Sequence, residues 1–130
     1  MTQKEIEVIL TRQLASYLAI PIFIVDPAGT LVYFNEPAEG IIGRRFEETG
    51  ELTLSEWSDM AQTSNVEGTL LAEEKRPLLI ALMERRPVHS TVRIRGANGS
   101  PRYLEVTSLP LIGMAGRFLG AAALFWETSP

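Results

Sequence analysis

His89 carries the side chain best suited to chemistry, because an imidazole can ligate a metal or haem iron and can move a proton near neutral pH. It is the only histidine of the 130 residues. In the predicted strand around it, Val92 and Ile94 share one parity, whereas His89 shares the other with Arg93 and Arg95. Alternate residues of a strand face opposite sides, and two arginines do not readily face a core. We therefore expect His89 on the outer face of a sheet, as a solvated or interface histidine.

Other catalytic arrangements are absent from the sequence. The chain contains no cysteine, which excludes disulfides, thiolate metal sites and thiol nucleophiles. The acidic pairs Glu47-Glu48 and Glu73-Glu74 lie in polar stretches with no histidine nearby, and solvated surface is the ordinary role of such pairs. We predict that the chain is not an enzyme.

Composition places the chain among ordinary globular domains. Hydrophobic residues make up 45% and charged residues 22% of the sequence, and the net charge is −4. This length and balance predict one domain without a general attraction to nucleic acid. No apolar run reaches the roughly 18 residues that span a bilayer. We therefore expect no nucleic-acid or membrane partner and a cytoplasmic location.

The first 17 residues predict an amphipathic helix. Apolar side chains recur at helical spacing at Ile6, Ile9, Leu10 and Leu14, which places them on one stripe. An isolated helix of this length is marginal in water, so the stripe needs a partner surface. We predict that it packs against a second copy of the chain and forms a symmetric homodimer.

The remaining residues alternate between strand and helix signals. Asn35 is a good N-cap for a short helix that Gly43 would end, and Pro77 suits the first turn of a longer helix. The Asn98-Gly99 pair predicts a tight hairpin turn. The predicted order is two strands, short helices, one longer helix and three strands. This order favours an α+β fold with a five-stranded antiparallel sheet and helices on one face.

Several stretches together resemble a PAS domain over residues 18–130. They are "IFIVDPAGTLVYFNEPAEGIIG", "RPLLIALMERRPV", "GANGSPRYLEV" and "FLGAAALFWETS". The resemblance implies a sheet cupped over a small pocket, and a sensor or interaction role beside an effector domain that this chain does not contain. PAS domains that bind haem usually take the iron ligand from the long helix, which has no histidine here. Light-sensing relatives use a cysteine, so haem and covalent flavin are not expected, and the cofactor, if any, stays unidentified.

Two sets of residues follow as candidate sites. The apolar side chains of Trp57, Met60, Leu78, Leu82 and Val92, with Ala122 at the floor, would line a pocket for a small apolar ligand. A fully packed core is the alternative. Glu127 and Ser129 lie where the family often has an Asp-x-Thr triplet that couples the sheet to the next segment, so we expect them to relay the signal. The predicted function is ligand or partner sensing, and a ligand-free dimerisation or interaction module is the alternative.

Overall fold

The computed structural model describes residues 10–11, 13–14, 16–95 and 100–127. Six strands form one antiparallel sheet in the order β2-β1-β6-β5-β4-β3. The strands are β1 (Ile22–Val25), β2 (Leu31–Phe34), β3 (Thr63–Ser64), β4 (Val88–Arg95), β5 (Pro101–Ile112) and β6 (Phe118–Glu127). The helices are α1 (Glu36–Ile42), α2 (Phe46–Thr49), α3 (Leu54–Met60) and α4 (Pro77–Glu84), and 3-10 turns cover Glu73–Lys75 and Met114–Gly116.

The sheet has six strands, so the prediction of five was wrong. The additional strand, β3, consists of two residues that pair with Ile94 and Arg93 of β4. A two-residue strand is too short to show alternation in the sequence. Only its pairing partner makes it a strand. The predicted hairpin turn at Asn98-Gly99 lies outside the described residues, although the two strands that it would join pair along their length.

The predicted caps of α1 and the predicted start of α4 are confirmed. The side chain of Asn35 caps α1 by accepting the backbone N–H of Ala38, and Gly43 ends the helix in the left-handed conformation, with φ of 85°. Pro77 occupies the first turn of α4, where its missing N–H leaves no hydrogen bond unmade.

Strand β6 lies in the middle of the sheet, between β1 and β5. A glycine is required where it passes the end of β1. At Gly120 φ is 129°, and an added Cβ would lie 2.0 Å from the backbone oxygen of Val25. Only glycine combines this backbone conformation with such a close approach. The small residues that follow, Ala121, Ala122 and Ala123, are buried.

Side-chain alternation divides the core between the two faces of the sheet. Ala121, Ala123 and Phe125 of β6 join the larger cluster with the helices. Ala122 belongs to a smaller cluster on the other face, where Leu18 and Ile20 pack against it. The helices therefore cover one face, as predicted, and the segment before β1 covers part of the other.

The N-terminal helix predicted over residues 1–17 is not confirmed as a whole. Residues 10, 11, 13, 14 and 16 are helical, whereas Ile6 and Ile9 lie outside the described residues. Within the part of the chain that the structure describes, no helix combines the length and apolar character needed to cross a membrane.

Candidate functional site

A small cavity lies in the larger cluster, between the helix-facing side of the sheet and helices α3 and α4. Its volume is about 20 Å³. A single water molecule needs about 10–15 Å³ on the same scale, so the cavity holds one group slightly larger than water. It is lined by Phe23, Trp57, Ala61, Thr63, Arg76, Pro77, Leu78, Val92, Ile94, Val106 and Phe125.

Three aromatic side chains belong to the wall of this cavity. The ring of Phe23 meets that of Trp57 edge-on, with 6.2 Å between centroids, and that of Phe125 with 5.2 Å between centroids. The indole N–H of Trp57 donates to the backbone oxygen of Gly29 at 2.9 Å. This hydrogen bond connects α3 to the turn between β1 and β2. Together with the ring contacts, it holds the aromatic side chains of the wall in place.

Arg76 is the charged residue of the cavity wall, and the sequence analysis missed it. Only 7% of its surface is exposed. Its Nη1 donates to the backbone oxygen of Ser58 at 3.0 Å, whereas its Nε has no hydrogen-bond partner. Burial lowers the pKa of the guanidinium, and the charges of Glu73 and Asp59 partly offset this effect. A signal was available in the sequence, because Arg76 directly precedes the proline that starts a largely apolar helix.

The residues predicted to line a pocket do not all meet there. Trp57, Leu78 and Val92 line the cavity. Leu82 is buried in the same cluster and Met60 packs against it, but neither lines the cavity. The prediction for Ala122 was wrong, because this residue faces the opposite side of the sheet. Its parity on β6 differs from that of Phe125, which does line the cavity.

Glu127, the predicted relay residue, forms an ion pair with Arg102 of β5. Its carboxylate accepts from Nε of Arg102 at 2.7 Å and from Nη2 of the same side chain. The two side chains are 27% and 62% exposed for arginine and glutamate respectively. The partner is therefore a side chain of the neighbouring strand, which the sequence analysis did not identify. Ser129 lies outside the described residues.

His89 lies on the outer face, as predicted, and is exposed to solvent. Its Nδ1 lies 2.9 Å from the hydroxyl of Thr107 and its Nε2 lies 3.3 Å from the carboxylate of Glu105. A search of the described residues finds no group of three or more histidine, cysteine or acidic side chains arranged to hold a metal ion.

Two of the residues predicted to mediate dimerisation are described. Leu10 is 56% exposed and Leu14 is 63% exposed. Both apolar side chains therefore remain largely uncovered in the single chain. Ile6 and Ile9, the other two residues of the predicted stripe, lie outside the described residues.

Comparison with known proteins places these features in a family. A family model described as a PAS fold matches residues 17–130. The PAS domain of BvgS from Bordetella pertussis is similar, with a TM-score of 0.61 and 14% identity over 95% of this chain and 87% of that chain. The PAS domain of nitrogen regulation protein NR(II) from Vibrio parahaemolyticus has a TM-score of 0.62 and 20% identity, over 92% and 98% of the two chains. A Rhodobacter sphaeroides LOV protein has a TM-score of 0.70 and 16% identity, over 96% and 69%. No curated protein matches by sequence.

Proposed function

Since this chain belongs to the PAS family, we propose that it is a non-enzymatic sensory module that relays the state of a small ligand or partner to an effector in a larger signalling protein. The observation that carries the proposal is the position of β6. This strand lies at the centre of the sheet, contributes Phe125 to the cavity wall and bears Glu127 two residues later. One strand therefore connects the interior with the candidate relay pair.

The strength of the relay pair suits a switch. Because both side chains are partly exposed, the ion pair contributes about 0.2–1 kcal/mol. A coupling free energy of about 1 kcal/mol corresponds to roughly a fivefold change in an equilibrium. A displacement of Phe125 would move β6 relative to β5 and weaken the pair between Arg102 and Glu127. The direction of the chain after β6 would then change without unfolding of the domain.

A reporter fusion tests this route. A histidine-kinase core is joined after residue 130, and its autophosphorylation is measured for Glu127→Gln. Glu84→Gln is the matched control, because Glu84 forms an exposed ion pair with Arg86 at the same 2.7 Å distance to the arginine Nε. We expect Glu127→Gln to change the output up to about fivefold, with little change in melting temperature. Equal output from the two variants would refute the relay.

A ligand-free interaction module is the second candidate, and the small cavity favours it. Pockets for cofactors and drug-sized ligands usually have volumes of roughly 300–1,000 Å³, whereas this cavity has about 20 Å³. In this conformation the input is therefore either a very small ligand or a partner at the surface. Native mass spectrometry and an absorption spectrum of the purified protein distinguish the candidates, because a bound organic ligand adds mass or colour.

The proposed partner is a second copy of the chain. The exposure of Leu10 and Leu14 supports burial of this surface in a homodimer, since large apolar patches in soluble proteins commonly mark interfaces. A dimer would also bring two β6 strands into one assembly. A cytoplasmic location stays a prediction from the sequence.

A further inference from the structure

The charge of Arg76 is held inside the protein without a direct anionic partner. Of the carboxylates in the described part of the chain, none lies within 4.0 Å of its guanidinium. Glu73 is close enough to influence the charge, but its carboxylate accepts a hydrogen bond from the hydroxyl of Ser58 at 2.7 Å. Buried charges are ordinarily paired. The guanidinium is therefore positioned to attract an anion.

The wall of the cavity beside Arg76 contains a buried hydrogen-bond donor that has no partner. Thr63 is another polar residue of the wall, but its hydroxyl donates to the backbone oxygen of Ala61 at 3.1 Å. The indole N–H of Trp57 is likewise used. The Nε–H of Arg76 is a side-chain donor of this wall that is buried and has no acceptor. An occupant must accept this hydrogen bond and match the positive charge.

Size and lining limit the chemical class of that occupant. The volume of about 20 Å³ is close to that of one or two water molecules, which favours a monatomic ion over a phosphate or a dicarboxylate. The other lining residues are mostly apolar, so an anion that enters must lose most of its water. Weakly hydrated anions lose water at lower cost than strongly hydrated ones. These limits favour a large halide over fluoride.

We propose that the interior cavity binds one small monovalent anion of halide size, which accepts the Nε–H of Arg76. This inference rests on the proposed sensory role, in which the anion is an input to the module. The site joins the start of α4, the end of α3 through Ser58 and strand β6 through Phe125. Occupancy would give the buried guanidinium a direct anionic partner at the junction of these elements.

The probe is bromide, titrated into the full chain at constant ionic strength with fluoride as the replacement salt. We expect saturable chemical-shift changes at the indole N–H of Trp57 and the Nε–H of Arg76. The melting temperature should rise with bromide as binding to the folded state requires, and fluoride should have no such effect. Bromide shifts that are linear and equal to those with fluoride would overturn the proposal.

Two variants locate the site. Arg76→Gln should lose the saturable response, whereas Arg93→Gln, which removes an arginine from the outer face, should keep it. Saturable binding that survives Arg76→Gln would place the anion elsewhere and refute the assignment. If Arg76→Gln does not fold, the shifts at the Trp57 indole in the unaltered chain decide the question. The bromide titration uses the chain without an attached effector. A negative result would therefore refute anion binding but would leave the kinase-fusion test of the relay unaffected.

Discussion

Asn35 should be among the most costly polar residues to remove. It is 1% exposed, and its Oδ1 accepts the backbone N–H groups of Ile22 at 3.0 Å and Ala38 at 3.2 Å. Its Nδ2 donates to the backbone oxygen of Ile20 at 2.8 Å. One side chain thus joins the segment before β1, the first residue of β1 and the start of α1.

The expected loss in Asn35→Ala follows from these three hydrogen bonds. Each contributes about 1 kcal/mol, and a buried group left without a partner costs about 1–3 kcal/mol. We therefore expect the free energy of unfolding to fall by about 3 kcal/mol, a large part of the roughly 5–15 kcal/mol typical of a domain. Asn35→Asp keeps the two acceptor bonds but sets an anionic oxygen against the Ile20 carbonyl. Its deficit should shrink at acidic pH, where a protonated carboxyl can donate to that carbonyl.

Urea denaturation of the full chain measures both variants. Asn65→Ala is the matched control, because the Oδ1 of Asn65 also accepts two backbone N–H groups, from Glu67 and Thr69, but in an exposed loop. We expect a loss below about 1 kcal/mol there, since solvent replaces the lost bonds. Equal losses for Asn35→Ala and Asn65→Ala would show that burial does not set the cost, and would refute the reasoning.

The remaining predictions concern a helix cap and the dimer. Hydrogen bonds from the backbone and side chain of Thr53 lower the pKa of Glu56 in the folded chain. The ionised carboxylate therefore stabilises the fold at pH values above the pKa that Glu56 has in the unfolded chain. This stabilisation is lost as the pH falls through the lower pKa of the folded chain. Thr53→Ala should cost about 1 kcal/mol of stability at neutral pH. It removes the side-chain hydrogen bond but keeps the backbone one, so the Glu56 pKa should rise part of the way toward its ordinary value in an NMR titration. An unchanged pKa would contradict the side-chain contribution. Deleting residues 1–16 should give a folded monomer in sedimentation, and substituting Leu10 and Leu14 by lysine should weaken the dimer. An unchanged dimer in both cases argues against this surface.

Local signals explain the parts of the fold that were predictable. The cap at Asn35 and the helix start at Pro77 depend on backbone chemistry within a few residues, so each is readable without knowing the rest of the molecule. The outward position of His89 follows from strand parity alone. The strand at Thr63–Ser64 was missed because it is defined by pairing with β4, which lies some distance away along the chain.

The candidate site was predicted less completely because its contacts join distant parts of the chain. Glu127 was predicted to be a relay residue, and this role stays a prediction. Its partner Arg102 lies 25 residues earlier, and no local pattern connects them. Arg76 was missed because its burial depends on how α3 and α4 close over the sheet. Small size made Ala122 a candidate for the pocket floor, but its parity on β6 turns its side chain to the opposite face of the sheet.

Local conformational preference and periodicity were enough to predict the α+β class, the alternation of side chains along the longer strands and the order of every strand except β3. Which faces meet depends on the packing of the whole chain. The same packing leaves a cavity of about 20 Å³ beside the aromatic rings of Phe23, Trp57 and Phe125, and places a guanidinium in its wall. Cavity volume and charge burial are sums over side chains from separate elements. Both quantities therefore depend on how the side chains pack together, and the conformational propensities of single residues carry no information about that packing.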